Sequence, residues 1–575
     1  MHDFFGSSIP DFAILSHTWG TEEITYQQWM ARDDSEGSLA CKSGYQKIIR
    51  ASQQAREDGL DWIWIDTNCI DKTSSAELTE AINSMFKWYN DSKVCYAYLA
   101  DVAIADLSAR DSTFRRSLWF TRGWTLQELL APKYLVFYTR EWVPIGERSH
   151  PRLLLSISKA TAIEPMYLTG HRSVTMASVA KRMSWLSKRR TTRDEDIAYC
   201  MLGIFGVNMP LLYGEGSKAF LRLQEEIIKV SHDHSLFCWT FTAEVPLDWV
   251  SILAPTPGAF ERSANYVPKE LRQALTPYTI TNLGLSIQLP IVHTLTSSFV
   301  ILNAGLSQQD MSERAGLAVR QDQYSSRAIR TTPILRRHWF PNEPLNIHWS
   351  NPQLMHRHEF FVNSRPGILI SNPYAQPMLE DLSVLVLMQT TDPRLFKGAE
   401  PIGLSPEGYS SYNVACMETP TIETYPPGMF DFQRSLLYLP AINEGEDSTA
   451  ACLLVLRHES EPSSGYFLYF AARTSARGEK TWSCDVVPRA SLSRRKRSGR
   501  WPVGEILADF IKKTVKGSAK DPLRLTIGPF LTASRSHTTR AVLLHGSQQG
   551  KLWVARRAVE EDNSDVDSNC ANAGH

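Results

Sequence analysis

The chain lacks any long apolar run. Nothing in it approaches the roughly 18 consecutive residues a membrane-spanning helix needs, so no transmembrane segment is expected. Paired cysteines are missing too. The nine Cys (41, 69, 95, 200, 238, 416, 452, 484, 570) are odd in number, scattered, and never spaced C-x-x-C. That argues against a disulfide framework and against a zinc module, and for a reducing compartment. Charge of one sign is not in excess: 61 Lys+Arg balance 61 Asp+Glu. The molecule therefore has no global field to draw nucleic acid or a membrane surface, and neither is expected as a partner. The first residues, Met1-His2-Asp3-Phe4-Phe5, lack a basic stretch followed by an apolar one, so no secretory signal is expected. No 40-residue repeat occurs, which argues against a propeller. These absences together predict a soluble, intracellular, cytoplasmic protein without a metal centre.

What is present is ordinary globular composition, 43% hydrophobic and 21% charged, in a chain of 575 residues. That is too long for one core and predicts roughly two to four domains. Trp is abundant, at 16, and many of these fall in the N-terminal third.

The first 140 residues alternate between two periods. Phe12-Ala13-Ile14-Leu15 reads as a buried strand leading into the polar turn Ser16-His17-Thr18-Trp19-Gly20. A helix follows over about Gly44 to Glu57, stopped by Gly59. Trp62-Ile63-Trp64-Ile65 is a second strand, ending at Asp66-Thr67-Asn68-Cys69-Ile70-Asp71. Ser74-x-x-Glu77 has the form of a capping box opening a helix with Leu78, Ala81, Ile82, Met85, Phe86 and Tyr89 on one stripe. Val94–Leu99 is a third strand, ending at Asp101, and Tyr134–Tyr138 a fourth. Strands apolar on both faces, alternating with helices, predict an α/β layer with a parallel sheet. Open parallel sheets bind ligands at the carboxyl ends of their strands. Here those ends carry Ser16 and His17, then Asp66 and Asp71, then Asp101. The same pattern also fits polar loops and nothing more, with Asp66 and Asp71 as local caps and His17 as a turn residue.

Between the third and fourth strands lies Trp119-Phe120-Thr121-Arg122-Gly123-Trp124-Thr125-Leu126-Gln127-Glu128-Leu129-Leu130-Ala131-Pro132. Arg122-Gly123 signals a turn, and Pro132 must end the short apolar helix that follows. Glu128 stands one turn after Trp124, so the acid and the indole share a face. Such a Glu is either a solvated surface residue or a group placed for chemistry.

Four segments, in order, resemble the fungal heterokaryon incompatibility (HET) domain family: Ala13–Gly20, Trp64–Lys72, Glu80–Met85 and Arg122–Leu129. A further block, Arg182–Trp185 and Thr192–Phe205 to Leu212–Gly216, is similar to the extension that follows the domain in many members. Asn68 stands where many members have Cys, and Leu118 where many have Arg. The resemblance implies non-self recognition between fused fungal cells and a role in triggering regulated cell death. HET domains are also remotely similar to Toll/interleukin-1 receptor (TIR) domains. Ile14-Leu15-Ser16 resembles the first TIR strand, and Trp124-Thr125-Leu126-Gln127-Glu128-Leu129 the W-C-L-x-E-L segment of plant TIR domains. In TIR enzymes that cleave NAD the glutamate of this segment is catalytic, and the matching position is Glu128. Thr125 replaces the TIR cysteine, which is not the catalytic group. This implies a TIR-like, flavodoxin-like fold, with Glu128 catalytic and Ser16, His17, Trp19, Asp66 and Trp124 shaping the pocket. NAD would be a substrate, and no cofactor is implied. The other reading is a non-enzymatic module that signals by self-association through the HET domain or with an unknown protein partner, with the β-rich region as its sensor or regulator.

The expected organisation is an α/β domain over residues 1–150, a helical extension over 151–235, a β-rich region of one or two sandwich-like units over 236–556, and a disordered tail over 557–575. His232-x-His234 and His356-x-His358-Glu359 have strand-like metal spacing but no third ligand cluster, so no metal is assigned. Arg494-Arg495-Lys496-Arg497-Ser498-Gly499-Arg500 is a basic run that reads as a solvated loop or a nuclear localisation signal.

Overall fold

A computed structural model describes residues 9–32, 39–104, 112–246, 249–269, 277–293 and 298–306, and beyond them a series of strands with short connections. The basic run at 494–500, His356 and the tail from 557 lie outside the described residues.

The N-terminal sheet has the order β2-β1-β3-β4-β5, made by β1 (Phe12–His17), β2 (Trp62–Trp64), β3 (Val94–Tyr98), β4 (Leu135–Tyr138) and β5 (Pro144–Glu147). The first four strands are parallel, and β5 runs antiparallel to β4. The chain leaves β1 for a neighbour on one side, crosses back to β3 on the other, and continues outward to β4. The winding therefore reverses between β1 and β3, which is the switch point where doubly wound sheets open a crevice.

Helices cover both faces. On one, α2 (Ser43–Glu57) packs Ile48, Ala51 and Ala55 against Ala13, Leu15 and Tyr96. On the other, α4 (Ser75–Asp91), α5 (Ser112–Arg115) and α6 (Thr125–Leu130) pack Ile82, Met85, Tyr89, Phe114, Leu126 and Leu129 against Ile14, Ala97 and Phe137. Alternate residues of β1 thus enter opposite cores, as the pleat requires. Ser74 caps α4 as expected, its hydroxyl accepting from the Glu77 N–H at 3.3 Å. The second half of the box is displaced, because the Glu77 carboxylate takes the Asp71 N–H at 2.8 Å. A complete capping box stands instead at Thr25 and Gln28, opening α1 (Tyr26–Met30).

Two boundaries differ from expectation. Ser16 and His17 belong to β1 rather than to a turn. They pair with Ala97 and Tyr98 of β3, and both are buried, so the ladder continues through polar residues. Asp66 opens a short helix, α3 (Asp66–Cys69), directly behind the strand.

After β5 come α7 (Pro151–Thr161), α8 (Pro165–Leu168), α9 (Val179–Leu186), α10 (Asp196–Tyr199), α11 (Leu202–Phe205) and α12 (Lys218–Val230). Their apolar stripes join the α4–α6 face in one continuous core that includes Val179, Met183, Leu202, Phe220 and Ile227. That core runs on into Leu285, Ile287, Val300 and Leu317 of the first β-rich sheet. From Val267 onward the described elements are strands. They include an eight-stranded sheet running from Thr279–Thr281 to His358–Val362 and, further along, sheets of seven and five strands.

Candidate functional site

At the β1/β3 switch point three elements converge on one carboxyl. The Ser16 hydroxyl, near the end of β1, donates to Glu128 Oε2 of α6 at 2.5 Å. The Trp119 indole N–H donates to Ser16 Oγ at 2.9 Å. With that lone pair occupied, the Ser16 hydroxyl is directed at Glu128. The Tyr89 hydroxyl of α4 lies between Leu15 O, at 3.1 Å, and the Glu128 carboxyl, and its single proton serves one or the other. Trp119 is held by an aromatic cluster with Phe120 and Phe137, ring centres 5.1 and 5.5 Å away and nearly perpendicular to it.

Glu128 is only 7% exposed. Burial pushes its carboxyl up to about 8. The nearby Asp66 charge adds to the rise, while the Ser16 and Tyr89 hydrogen bonds and the Arg189 charge oppose it. A carboxyl so placed exchanges between neutral and ionised forms near neutral pH, the range useful for general acid–base or charge-stabilising work.

Beside it, at the ends of β1 and β2, is a second polar group. His17 is buried, with Nε2 3.8 Å from Glu23 Oε2 and 3.9 Å from Asp66 Oδ1, and neither ring nitrogen has a hydrogen-bond partner. Burial first, then the charges of Lys47 and Lys72, hold its imidazole far below the ordinary range, so it is neutral. Lys47 Nζ binds Glu23 Oε1 at 2.5 Å, and the Trp19 indole N–H binds Asp66 Oδ2 at 2.8 Å. Lys72 Nζ lies 3.5 Å from the Trp19 ring centre and 4.0 Å from Asp66 Oδ2. Burial raises the Asp66 carboxyl, and Lys72 and Trp19 pull it back. Trp19 itself is 54% exposed and forms the outer lip of this group.

Of the expected site residues, Glu128 and Ser16 meet directly, and His17, Trp19 and Asp66 form the adjoining group. Trp124 points elsewhere: it is a hydrogen-bond partner of Asp196 in α10. The indole linked to Glu128 through Ser16 is that of Trp119. Asp71 acts as a loop cap, accepting the Thr73 N–H and hydroxyl at 2.9 and 2.6 Å. Asp101 accepts from Ser117 Oγ and the Leu118 N–H, each at 2.7 Å.

Sequence reasoning missed Tyr89, Glu23, Lys47 and Arg189 as members of the site. Tyr89 sat on the apolar stripe of its helix. A buried Lys or Arg leaves no signal in a single sequence, because its partners come from distant segments.

Among the described residues, no group of three or more His, Cys, Asp or Glu side chains is arranged to hold a metal ion. Lys47 and Lys72 already neutralise the two carboxylates beside His17. His234 Nδ1 accepts the Asn303 N–H at 3.1 Å and serves packing.

Residues 12–114 match the family model described as heterokaryon incompatibility protein (HET). The chain is also similar to vegetative incompatibility protein HET-E-1 of Podospora anserina, 46% identical over 235 residues. That alignment covers 40% of this chain and 17% of the relative, so the chain spans only a small part of the relative's length. No solved structure matches it. No described helix is long and apolar enough to cross a membrane. The N-terminal region of this chain belongs to the heterokaryon incompatibility (HET) domain family.

Proposed function

We propose that the chain acts in vegetative incompatibility as a fungal cell-death effector, and that its HET domain is TIR-like and cleaves NAD with Glu128. The observation that carries this reading is the Ser16–Glu128 pair at the switch point of a 2-1-3-4 parallel sheet, where ligands of such sheets bind. In the reaction, the bond between ribose C1′ and the pyridinium nitrogen breaks, and its electron pair leaves with neutral nicotinamide. No general acid is required. The ribosyl cation left behind needs a nearby anion and then takes up water, whose spare proton is released to solvent. Glu128 supplies that anion. The positive pyridinium ring of the substrate favours the ionised form of the carboxyl beside it, so binding itself charges the catalyst. Ser16 orients Glu128, and His17, Asp66 and Trp19 contact the nucleotide.

A second reading is a non-enzymatic module acting by self-association. The enclosure of Glu128, 7% exposed, favours it, because a sealed carboxyl hydrogen-bonded to Ser16 serves packing equally well. Expression of Glu128→Gln in fungal cells separates the two. Loss of killing with the protein still folded supports the enzyme, and retained killing assigns signalling to association.

A further inference from the structure

The helix that carries Glu128 is held from outside the α/β layer. Residues 189–192, which follow α9, lie along the turn before α6. The Gly123 N–H donates to Arg190 O at 2.9 Å, and the Arg190 N–H donates to Thr121 O at 2.7 Å. Contact is so close that a Cβ on Gly123 would stand 2.6 Å from Thr191 Cγ2 and 3.1 Å from Cys200 Sγ. Arg122 Nη2 reaches Thr192 Oγ1 at 2.9 Å.

The central member of this strap is Arg189, which is 6% exposed. Its Nη1 donates to Arg122 O at 2.8 Å, in the turn before α6, and to Thr125 Oγ1 at 2.9 Å, on the first turn of α6. Its Nη2 is buried with no hydrogen-bond partner. A buried guanidinium with an unused donor is costly unless its charge is used. The carboxyl that feels that charge is Glu128.

We propose that Arg189 is a positioning residue of the Glu128 site, fixing the turn that opens α6 through Arg122 O and Thr125 Oγ1 and so holding a positive charge near the Glu128 carboxyl. The proposal rests on the reading of Glu128 as the working carboxylate. It places an essential part of the site well beyond residues 12–114, in the helical extension. Burial lowers Arg189 to about 10, so it keeps its charge at neutral pH. The hydrogen-bonding, titratable and charged groups that act on Glu128, or on which its charge acts, are Ser16 of β1, Asp66 of α3, Tyr89 of α4, Cys95 of β3, Cys200 after α10, and Arg189. Asp66 disfavours the carboxylate, Ser16 and Tyr89 favour it by hydrogen bonds, and Arg189 is the cation among them.

The test uses the full chain and reads the protonation of Glu128 directly. The carbonyl stretch of its protonated carboxyl is followed against pH by infrared difference between each protein and its Glu128→Gln counterpart. Arg189→Met removes the cation and should raise the midpoint by about one pH unit or more. Arg189→Gln does the same while keeping hydrogen-bonding capacity, and replaces Arg189→Met if that variant does not fold. Arg189→Lys keeps the charge and should stay near the wild-type midpoint. A folded Arg189→Gln with an unchanged midpoint overturns the proposal. So does Arg189→Lys shifting as far as Arg189→Gln, since the effect would then come from lost hydrogen bonds. The titration needs no turnover. Absence of NAD cleavage by the wild type would overturn the enzymatic reading, and the midpoint would still decide whether Arg189 faces Glu128 as a charge.

Discussion

Ser16 and Glu128 lie 112 positions apart in the chain and share a 2.5 Å hydrogen bond across the switch point of the sheet. Ser16 is also the acceptor for the Trp119 indole, so its hydroxyl serves two buried groups at once. Ser16→Ala would leave the indole N–H unpaired and remove one of the bonds that favour the Glu128 anion. We expect a loss of about 1–3 kcal/mol in stability, measured by urea denaturation, and a higher Glu128 midpoint. A change within a few tenths would mean that water replaces the hydroxyl.

The ionisation of Glu128 fixes the sign of a pH effect on stability. Its carboxyl rises from 4.5 to about 8 on folding, so the native state holds a proton that the unfolded chain has released. The associated stability is fully present below about pH 4.5 and is lost as pH rises through about 8. The stability of the wild type relative to Glu128→Gln should therefore fall between pH 5 and 8, by about 1.4 kcal/mol per pH unit at most. Urea midpoints of the two proteins across that range test this. A constant difference would show Glu128 to be ionised in the folded state throughout. His17 bends the wild-type curve the opposite way below about 6.5, since its native imidazole is neutral, and the comparison with Glu128→Gln cancels that contribution.

His17 separates stability from function. Its ring nitrogens make no hydrogen bond, so replacement by the apolar ring of Phe removes buried unpaired groups at nearly constant shape. His17→Phe should melt within about 1 kcal/mol of the wild type yet lose killing activity in fungal cells. Equal loss of both would make His17 a packing residue only.

Gly203 marks where α11 meets α4. A Cβ there would stand 2.0 Å from Phe86 Cβ, which is close to a covalent distance. Gly203→Ala forces the helices apart and should cost about 1–3 kcal/mol, read as a lowered urea midpoint. An unchanged midpoint would show that this helix pair is free to shift.

Much of the α/β layer was legible because its signals are local. Strands such as Val94–Tyr98 are short apolar runs, and α4 announces itself with a Ser cap and an apolar stripe. The continuation of β1 through Ser16 and His17 was not legible, since only pairing with Ala97 and Tyr98 makes those polar residues part of a strand. The antiparallel β5 carries no apolar run. Glu128 was singled out by its helix and its motif, but its indole neighbour was misjudged. Helical spacing pointed to Trp124, whereas tertiary packing brings Trp119 to Ser16 and turns Trp124 toward Asp196. Arg189 and Lys47 were invisible, because nothing in a single chain distinguishes a buried cation from a solvated one.

The most direct measurement is nicotinamide release from NAD by the full chain, wild type beside Glu128→Gln, in dilute and in assembled form. The wild type should release nicotinamide with a matching amount of ADP-ribose, and folded Glu128→Gln should be slower by about a hundredfold or more. Equal rates in the two proteins, or no release by the wild type in either form, would contradict Glu128 as the catalytic carboxylate.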